Sequence, residues 1–387
     1  MENKVNGTMA ESRERIVWID WMRVAACFMV MVVHSTEPFY LGGEGALIDS
    51  SANAHWAAFF DCIVRCCVPL FVIASSFLLF PLNCGTGEFV RRRAVRILIP
   101  FAIWTVFHAF YWGEPVENFR NLCLNFNYSA GHLWFVYMLV GLYLIMPLLS
   151  PWAERVGKKE LSIYLAIWIF TSFIPLIRDW ACGAAPTVVY GPSGIPRQAL
   201  FPLWGEASWN AYGTFYYISG FIGYLLLGLW FRKFGGEISL GKSLAVGIPC
   251  LLGGFAISFF GFLRRVQLTC GGVFPVEGPV ADAVWWETTW CNDTIGVVLM
   301  TIGCVLLFKQ IKSSGRFYRN ILLPVSKASY GMYLCHMVAL AAYSALFRPL
   351  MCTPLCILAT AAASFVTAAV VAVLVKKIPV VGKYIMG

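Results

Sequence analysis

Apolar runs of about 20 residues recur along this chain, at 16–36, 54–82, 94–112, 131–150, 161–181, 212–232, 242–262, 286–308, 326–346 and 353–375. Each is long enough to cross the hydrocarbon layer of a bilayer as a helix. Backbone groups in lipid must be satisfied within the segment, so such a series leaves little choice of architecture. The expectation is an all-α integral membrane protein with about ten transmembrane helices. A soluble fold has no means of housing them, because only 13% of the residues are charged and no polar skin can be built from that share.

The charges that remain report topology. Twenty-one of the 29 Lys and Arg fall in the two terminal segments and alternate loops, six fall in the intervening loops, and Arg23 and Arg65 lie inside apolar runs. That bias predicts both termini in the cytoplasm. It also argues against a nucleic-acid partner despite the net charge of +9, since the cations form no continuous basic face. The organisation expected is a cytoplasmic tail over 1–15, one membrane domain over 16–375 and a second cytoplasmic tail over 376–387. The 14 cysteines show no spacing suited to a metal site. Cys123, Cys182, Cys270 and Cys291 fall in or beside loops expected outside, where a disulfide could form.

The first apolar run carries polar groups that lipid penalises heavily. It reads Asp20-Trp-Met-Arg23, then ten residues, then His34. A separation of 11 is close to three helical turns, so Arg23 and His34 share a face and stand roughly 16 Å apart along the axis. The second run holds Asp61 and Arg65 at i,i+4, at about the depth of His34, and Glu37, His108 and His132 fall near the same level. The Asp61–Arg65 pair is equally readable as a structural ion pair or as support for His34. At the start of the third run stand Arg91, Arg92, Arg93 and Arg96, in Arg93-Ala-Val-Arg96-Ile-Leu-Ile-Pro100.

Asp20-x-x-Arg23-x10-His34 on a first transmembrane helix resembles the Arg-x10-His signature of the acyltransferase-3 family, membrane O-acyltransferases of bacterial surface polysaccharides. Arg93-x-x-Arg96 is similar to that family's second mark. Gly131-His-Leu-Trp-Phe-Val-Tyr137 and Ser329-Tyr-Gly-Met-Tyr-Leu-Cys-His336 are similar to its fourth and ninth helix segments. The resemblance covers the whole chain. It is closest to the stand-alone branch that includes the enterobacterial-common-antigen O-acetyltransferase, so no esterase-like domain is expected.

The resemblance implies transfer of an acetyl or similar short acyl group from acetyl-CoA to a hydroxyl of a surface glycan or glycolipid, in the inner membrane of a bacterium. Under it, Arg92, Arg93 and Arg96 hold the donor's phosphates, which planar guanidiniums suit well. His34 is the general base, as neutral imidazole is fitted to be. Arg23 stabilises the acyl carrier or its helix, and Asp20 and Asp61 are the further candidate site residues. No metal is implied, and homo-oligomerisation is left open. Whether the hydroxyl attacks the thioester directly or an acyl-enzyme forms on His34 is open, as is the carboxylate that supports His34. The 182–211 and 264–286 loops are expected to select the acceptor, with Trp204, Trp209, Trp285, Trp286 and Trp290 able to stack on sugar rings or to form an interfacial belt.

A transporter or flippase is the competing class, since a polar stripe on the first helix would also suit a pathway. One further pattern is a decoy. Gly236-Glu-Ile-Ser-Leu-Gly241-Lys242-Ser243 fits a P-loop letter for letter, but a P-loop needs a preceding strand, and here an apolar run precedes it.

Overall fold

The computed structural model describes residues 15–42, 47–113, 116–117, 128–182, 204–205, 212–276, 280 and 282–387. Most of the 182–211 loop, including Trp209, together with Cys123 and the side chain of Cys182, lies outside them.

Among the described residues eight helical stretches are long and apolar enough to cross a membrane, and a ninth is counted if Lys158–Thr171 and Ile174–Ala181, bent by 40°, form one span. Against about ten expected, the difference lies in the sixth run. There a 3-10 turn over Gly213–Ile218 leads into a helix of only 14 residues, Phe221–Phe234. At 1.5 Å per residue that helix covers roughly 21 Å, short of the hydrocarbon thickness. Gly220, at φ +72°, makes the turn between the two, a conformation costly for any residue with a Cβ. The short helix nevertheless runs from the level of Asn292, to whose carbonyl Tyr224 donates, to that of Phe80 and Ala153, whose carbonyls accept from Arg232 and Lys233, and Tyr224, Leu225 and Leu229 are fully buried.

Helix α1 (Val17–Thr36) is the hub. It packs against α2 (Ser51–Val64), α3 (Cys67–Leu79), α13 (Leu323–Phe347) and α14 (Thr353–Lys376). Prolines set the breaks within spans. Pro69 has no N–H for the Arg65 carbonyl, and α2 ends and α3 begins at Arg65–Cys66. Pro100 follows a π turn at Ala94–Leu98, which links α4 (Thr86–Arg93) to α5 (Ile99–Tyr111). Pro324 likewise follows a π turn at Tyr318–Leu322. Such turns shift a helical face by a residue and are frequent at functional sites.

Between α5 and α13 come α6 (Trp134–Arg155), α7 (Lys158–Thr171), α8 (Ile174–Cys182), α9 (Phe221–Phe234), α10 (Leu240–Cys270), α11 (Ala283–Glu287) and α12 (Ile295–Phe308). Helices α10 and α12 approach closely through small residues. A Cβ added to Gly254 would lie 2.4 Å from the Gly296 carbonyl oxygen, the close approach that substitutes for hydrophobic association in lipid. The P-loop-like stretch is the connection between α9 and the Ser239-capped start of α10, and a helix precedes it. Strands β1 (Tyr40–Leu41) and β2 (Leu47–Ile48) form a small hairpin after α1. Past α14 the chain turns back as α15 (Gly382–Met386), whose Met386 is 1% exposed and packs on Gly331 of α13.

Candidate active site

One cavity of about 990 Å³ runs alongside α1 and is lined at opposite ends by the two halves of its polar stripe. At the basic end stand Arg23, Arg93, Arg96, Lys327 and Lys376; at the other stand His34, Glu37, Asp61, Arg65 and His132. The volume lies at the upper end of the range for ligand sites.

Arg23 donates from a terminal guanidinium nitrogen to Ser329 Oγ of α13 at 2.7 Å. Arg93 lies over the rings of Phe89 and Tyr143, at 5.7 and 5.8 Å, and its buried Nε has no hydrogen-bond partner. Arg96 sits in the π turn, which brings it to the same mouth. Lys376 donates to the Lys327 carbonyl at 2.8 Å and to the Gly387 carbonyl, so the C-terminal turn lies across this end.

At the other end, His34 Nδ1 lies 2.6 Å from Glu37 Oε1. A carboxylate only accepts, so Nδ1 carries the proton and Nε2 is left as the basic nitrogen. Asp61 pairs with Arg65 one turn along α2, and Arg65 stacks over Trp290 at 4.9 Å. Asp61 Oδ1 and Arg65 Nε are nevertheless buried without a partner. On the hairpin beside them, Tyr40 donates to Glu287 Oε1 at 2.7 Å. Burial, and then the Glu287 charge, push the Tyr40 hydroxyl above its ordinary pKa, so it remains a donor.

Four of the chain's five histidines meet here. His34 of α1, His108 of α5, His132 on the 3-10 turn Tyr128–Leu133 and His336 of α13 contact one another, with ring centroids 4.9 to 6.3 Å apart. The rings meet edge-on or tilted. Among the described residues no three His, Cys, Asp or Glu side chains are arranged to hold a metal ion. His108 is fully used, donating to the Leu334 carbonyl and accepting from Trp112 Nε1, each at 3.1 Å. His132 and His336 each keep a buried, unpartnered Nε2.

The residues picked from sequence therefore divide. His34, Arg23, Asp61, Arg93 and Arg96 line the cavity; Asp20 and Arg92 do not. Asp20 is occupied as an anchor. It accepts from Arg15 at 2.7 and 2.8 Å, from Tyr318 at 2.7 Å and from Ser326 at 2.5 Å, tying the start of α1 to α13 and its π turn. Arg92 is exposed and paired with Glu88 on its own helix. The tryptophans considered for sugar stacking also differ. Trp285, Trp286 and Trp290 are buried, and Trp290 stacks on Phe262 at 4.2 Å, so packing holds them; Trp112 and Trp134 line the cavity instead. Cys270 and Cys291 are free thiols.

The acyltransferase-3 sequence model, described as an acyltransferase domain, matches residues 16–376. The chain belongs to the acyltransferase-3 family. It is a multi-pass membrane acyltransferase. No curated protein and no solved structure matches the chain significantly.

The acyltransferase's site includes groups that sequence alone ranked low or used only for topology. Lys327 and Lys376 count as inside-positive charges, yet they line the basic mouth. His336 reads as a mid-helix packing residue, yet its ring lies 5.1 Å from that of His34. The signal was present in Ser329-Tyr-Gly-Met-Tyr-Leu-Cys-His336. Its polar members are engaged at or beside the cavity: Ser329 with Arg23, Tyr330 with the Ile97 carbonyl, Tyr333 with the His132 carbonyl, and His336 in the histidine cluster. Glu287 has no motif around it and no counterpart signal in the sequence.

Proposed function

We propose that this acyltransferase carries an acetyl, or similar short acyl, group from cytoplasmic acyl-CoA to a hydroxyl of a surface glycan or glycolipid on the far side of a bacterial inner membrane. The observation that carries the reading is the single cavity with cations at one end and the His34–Glu37 pair at the other. A polyanionic nucleotide suits the first end. A weakly nucleophilic sugar hydroxyl suits the second, where an oriented imidazole removes its proton.

In this reading Arg93 and Arg96 hold the donor's phosphates, with Lys327 and Lys376 adding charge to the mouth. The slender pantetheine arm lies along α1 past Arg23 and delivers the thioester to His34. Glu37 fixes the imidazole with its Nε2 toward the hydroxyl and stabilises the cation that forms. Direct attack on the thioester needs no covalent intermediate, and the neighbouring Asp61–Arg65 pair offers polar contacts to an acceptor. Membership of the stand-alone branch, with a glycan acceptor like that of the enterobacterial-common-antigen O-acetyltransferase, is the finer part of the proposal.

The test uses purified protein, radiolabelled acetyl-CoA and a glycan extract, comparing wild type with His34→Ala and with Arg93→Ala/Arg96→Ala. Wild type turns over, His34→Ala binds acetyl-CoA without turnover, and the double Arg variant fails to bind. Wild type that neither binds nor consumes acetyl-CoA ends the donor assignment.

A further inference from the structure

Resting on that reading, we propose that His132 is a second catalytic residue, carrying the proton that His34 removes to the departing thiolate, and that His336 is the positioning residue between them. His34 and His132 both line the cavity, with ring centroids 6.3 Å apart. His336 touches both, at 5.1 and 5.2 Å, and is fully buried behind them.

The hydrogen bonds assign the roles. His336 Nδ1 lies 2.6 Å from the Tyr333 carbonyl oxygen. A carbonyl only accepts, so Nδ1 carries the proton and Nε2 presents a bare lone pair. That nitrogen is buried with no partner, and so is Nε2 of His132. Leaving two such groups unsatisfied in an apolar interior costs free energy that ordinary packing does not return. His108, by contrast, has both ring nitrogens engaged and has no free site for a proton. Packing alone thus explains His108 but not the other two.

Acyl transfer supplies a proton that must move. The acceptor O–H breaks and its proton goes to His34 Nε2, while the oxygen bonds to the thioester carbonyl carbon. The proton then passes within the cluster to His132, with the His336 Nε2 lone pair accepting from whichever neighbour is the cation. The C–S bond breaks, the carbonyl re-forms, and the sulfur takes a proton from the other nitrogen of His132, Nδ1, as the buried Nε2 receives the incoming one. Each imidazole ends neutral, and none stays charged in the buried site between turnovers. A base at the hydroxyl and an acid at the sulfur divide the task between positions that one ring would otherwise have to reach in turn.

The test varies the leaving group, comparing acetyl-CoA with its selenoester analogue, whose selenolate departs without needing a proton. With acetyl-CoA, His132→Gln lowers kcat about 100-fold, a typical value for losing a general acid, and KM stays within about threefold. With the selenoester, His132→Gln recovers to within about fivefold of wild type, whereas His34→Gln remains impaired with both donors. His336→Gln behaves as a weaker His132 variant. Equal impairment of His132→Gln with both donors, or no impairment with either, overturns the inference. Wild type inactive with acetyl-CoA would instead remove the proposed function itself. Retained acetyl-CoA binding by His132→Gln shows that the variant folds.

Discussion

Glu37 lies one helical turn beyond His34, and its Oε1 is 2.6 Å from His34 Nδ1. Because the two stand at i,i+3 at the end of α1, the helix itself aligns them. The contact fixes the imidazole's tautomer and ring orientation, and it makes Glu37 the carboxylate bonded to His34. Asp61 is turned to Arg65 instead.

Glu37→Gln therefore removes the negative charge and lets an amide present the wrong hydrogen-bonding face to Nδ1. Its kcat for acetyl transfer is expected to fall at least about 100-fold, with acetyl-CoA affinity preserved. Steady-state kinetics beside a binding isotherm check this. An unchanged kcat would separate Glu37 from the chemistry.

The arginines of the α4–α5 junction are expected to be unequal. Arg93 has an unpartnered Nε at the cavity mouth, while Arg92 is an exposed partner of Glu88. A charge-assisted hydrogen bond contributes about 2 kcal/mol, so Arg93→Ala weakens acetyl-CoA binding about 30-fold. Arg92→Ala changes it less than about threefold. Equilibrium binding on the two single variants decides, and equal losses would contradict the assignment of the mouth.

Asp20 is expected to matter for stability and not for turnover. Replacing it by Asn removes the charge and turns one of its two accepting oxygens into a donor, so Arg15, Tyr318 and Ser326 can no longer all be accepted, a loss of about 2 kcal/mol or more. The thermal midpoint of Asp20→Asn in detergent should fall, while the kcat of the folded protein stays within about threefold of wild type. A kcat collapse at an unchanged midpoint would return Asp20 to the active site.

Much of this was readable in the sequence, and the reasons are particular. The Arg23–His34 stripe was legible because helical rise converts a spacing of 11 into one face and one depth. Arg93 and Arg96 were legible as cations at a span's start, but not which of Arg91 to Arg96 turn inward. That depends on the π turn which accompanies Pro100, and periodicity does not resolve it. Asp20 could not be placed from sequence because a buried carboxylate reads alike as anchor or as catalyst until its partners, some 300 residues away at Tyr318 and Ser326, are brought to it. The meeting of His34, His132 and His336 is a tertiary fact, since three segments supply them and none contacts another in sequence. The shortness of α9 was hidden because the 3-10 turn that enters it is as apolar as the helix, and the turn at Gly220 between them leaves no mark in the periodicity.

The central claim is that donor and acceptor reach one cavity from opposite sides, and sided proteoliposomes test it most directly. Protein is reconstituted and its orientation determined by protease accessibility of the connection after α12, which carries Lys309 and Lys312. Radiolabelled acetyl-CoA is supplied on one side only, with the glycan acceptor on the other. The account predicts acetylated glycan only when acetyl-CoA is on the Arg93–Arg96 side and the acceptor on the His34 side. Equal product with both substrates confined to the His34 side would contradict it.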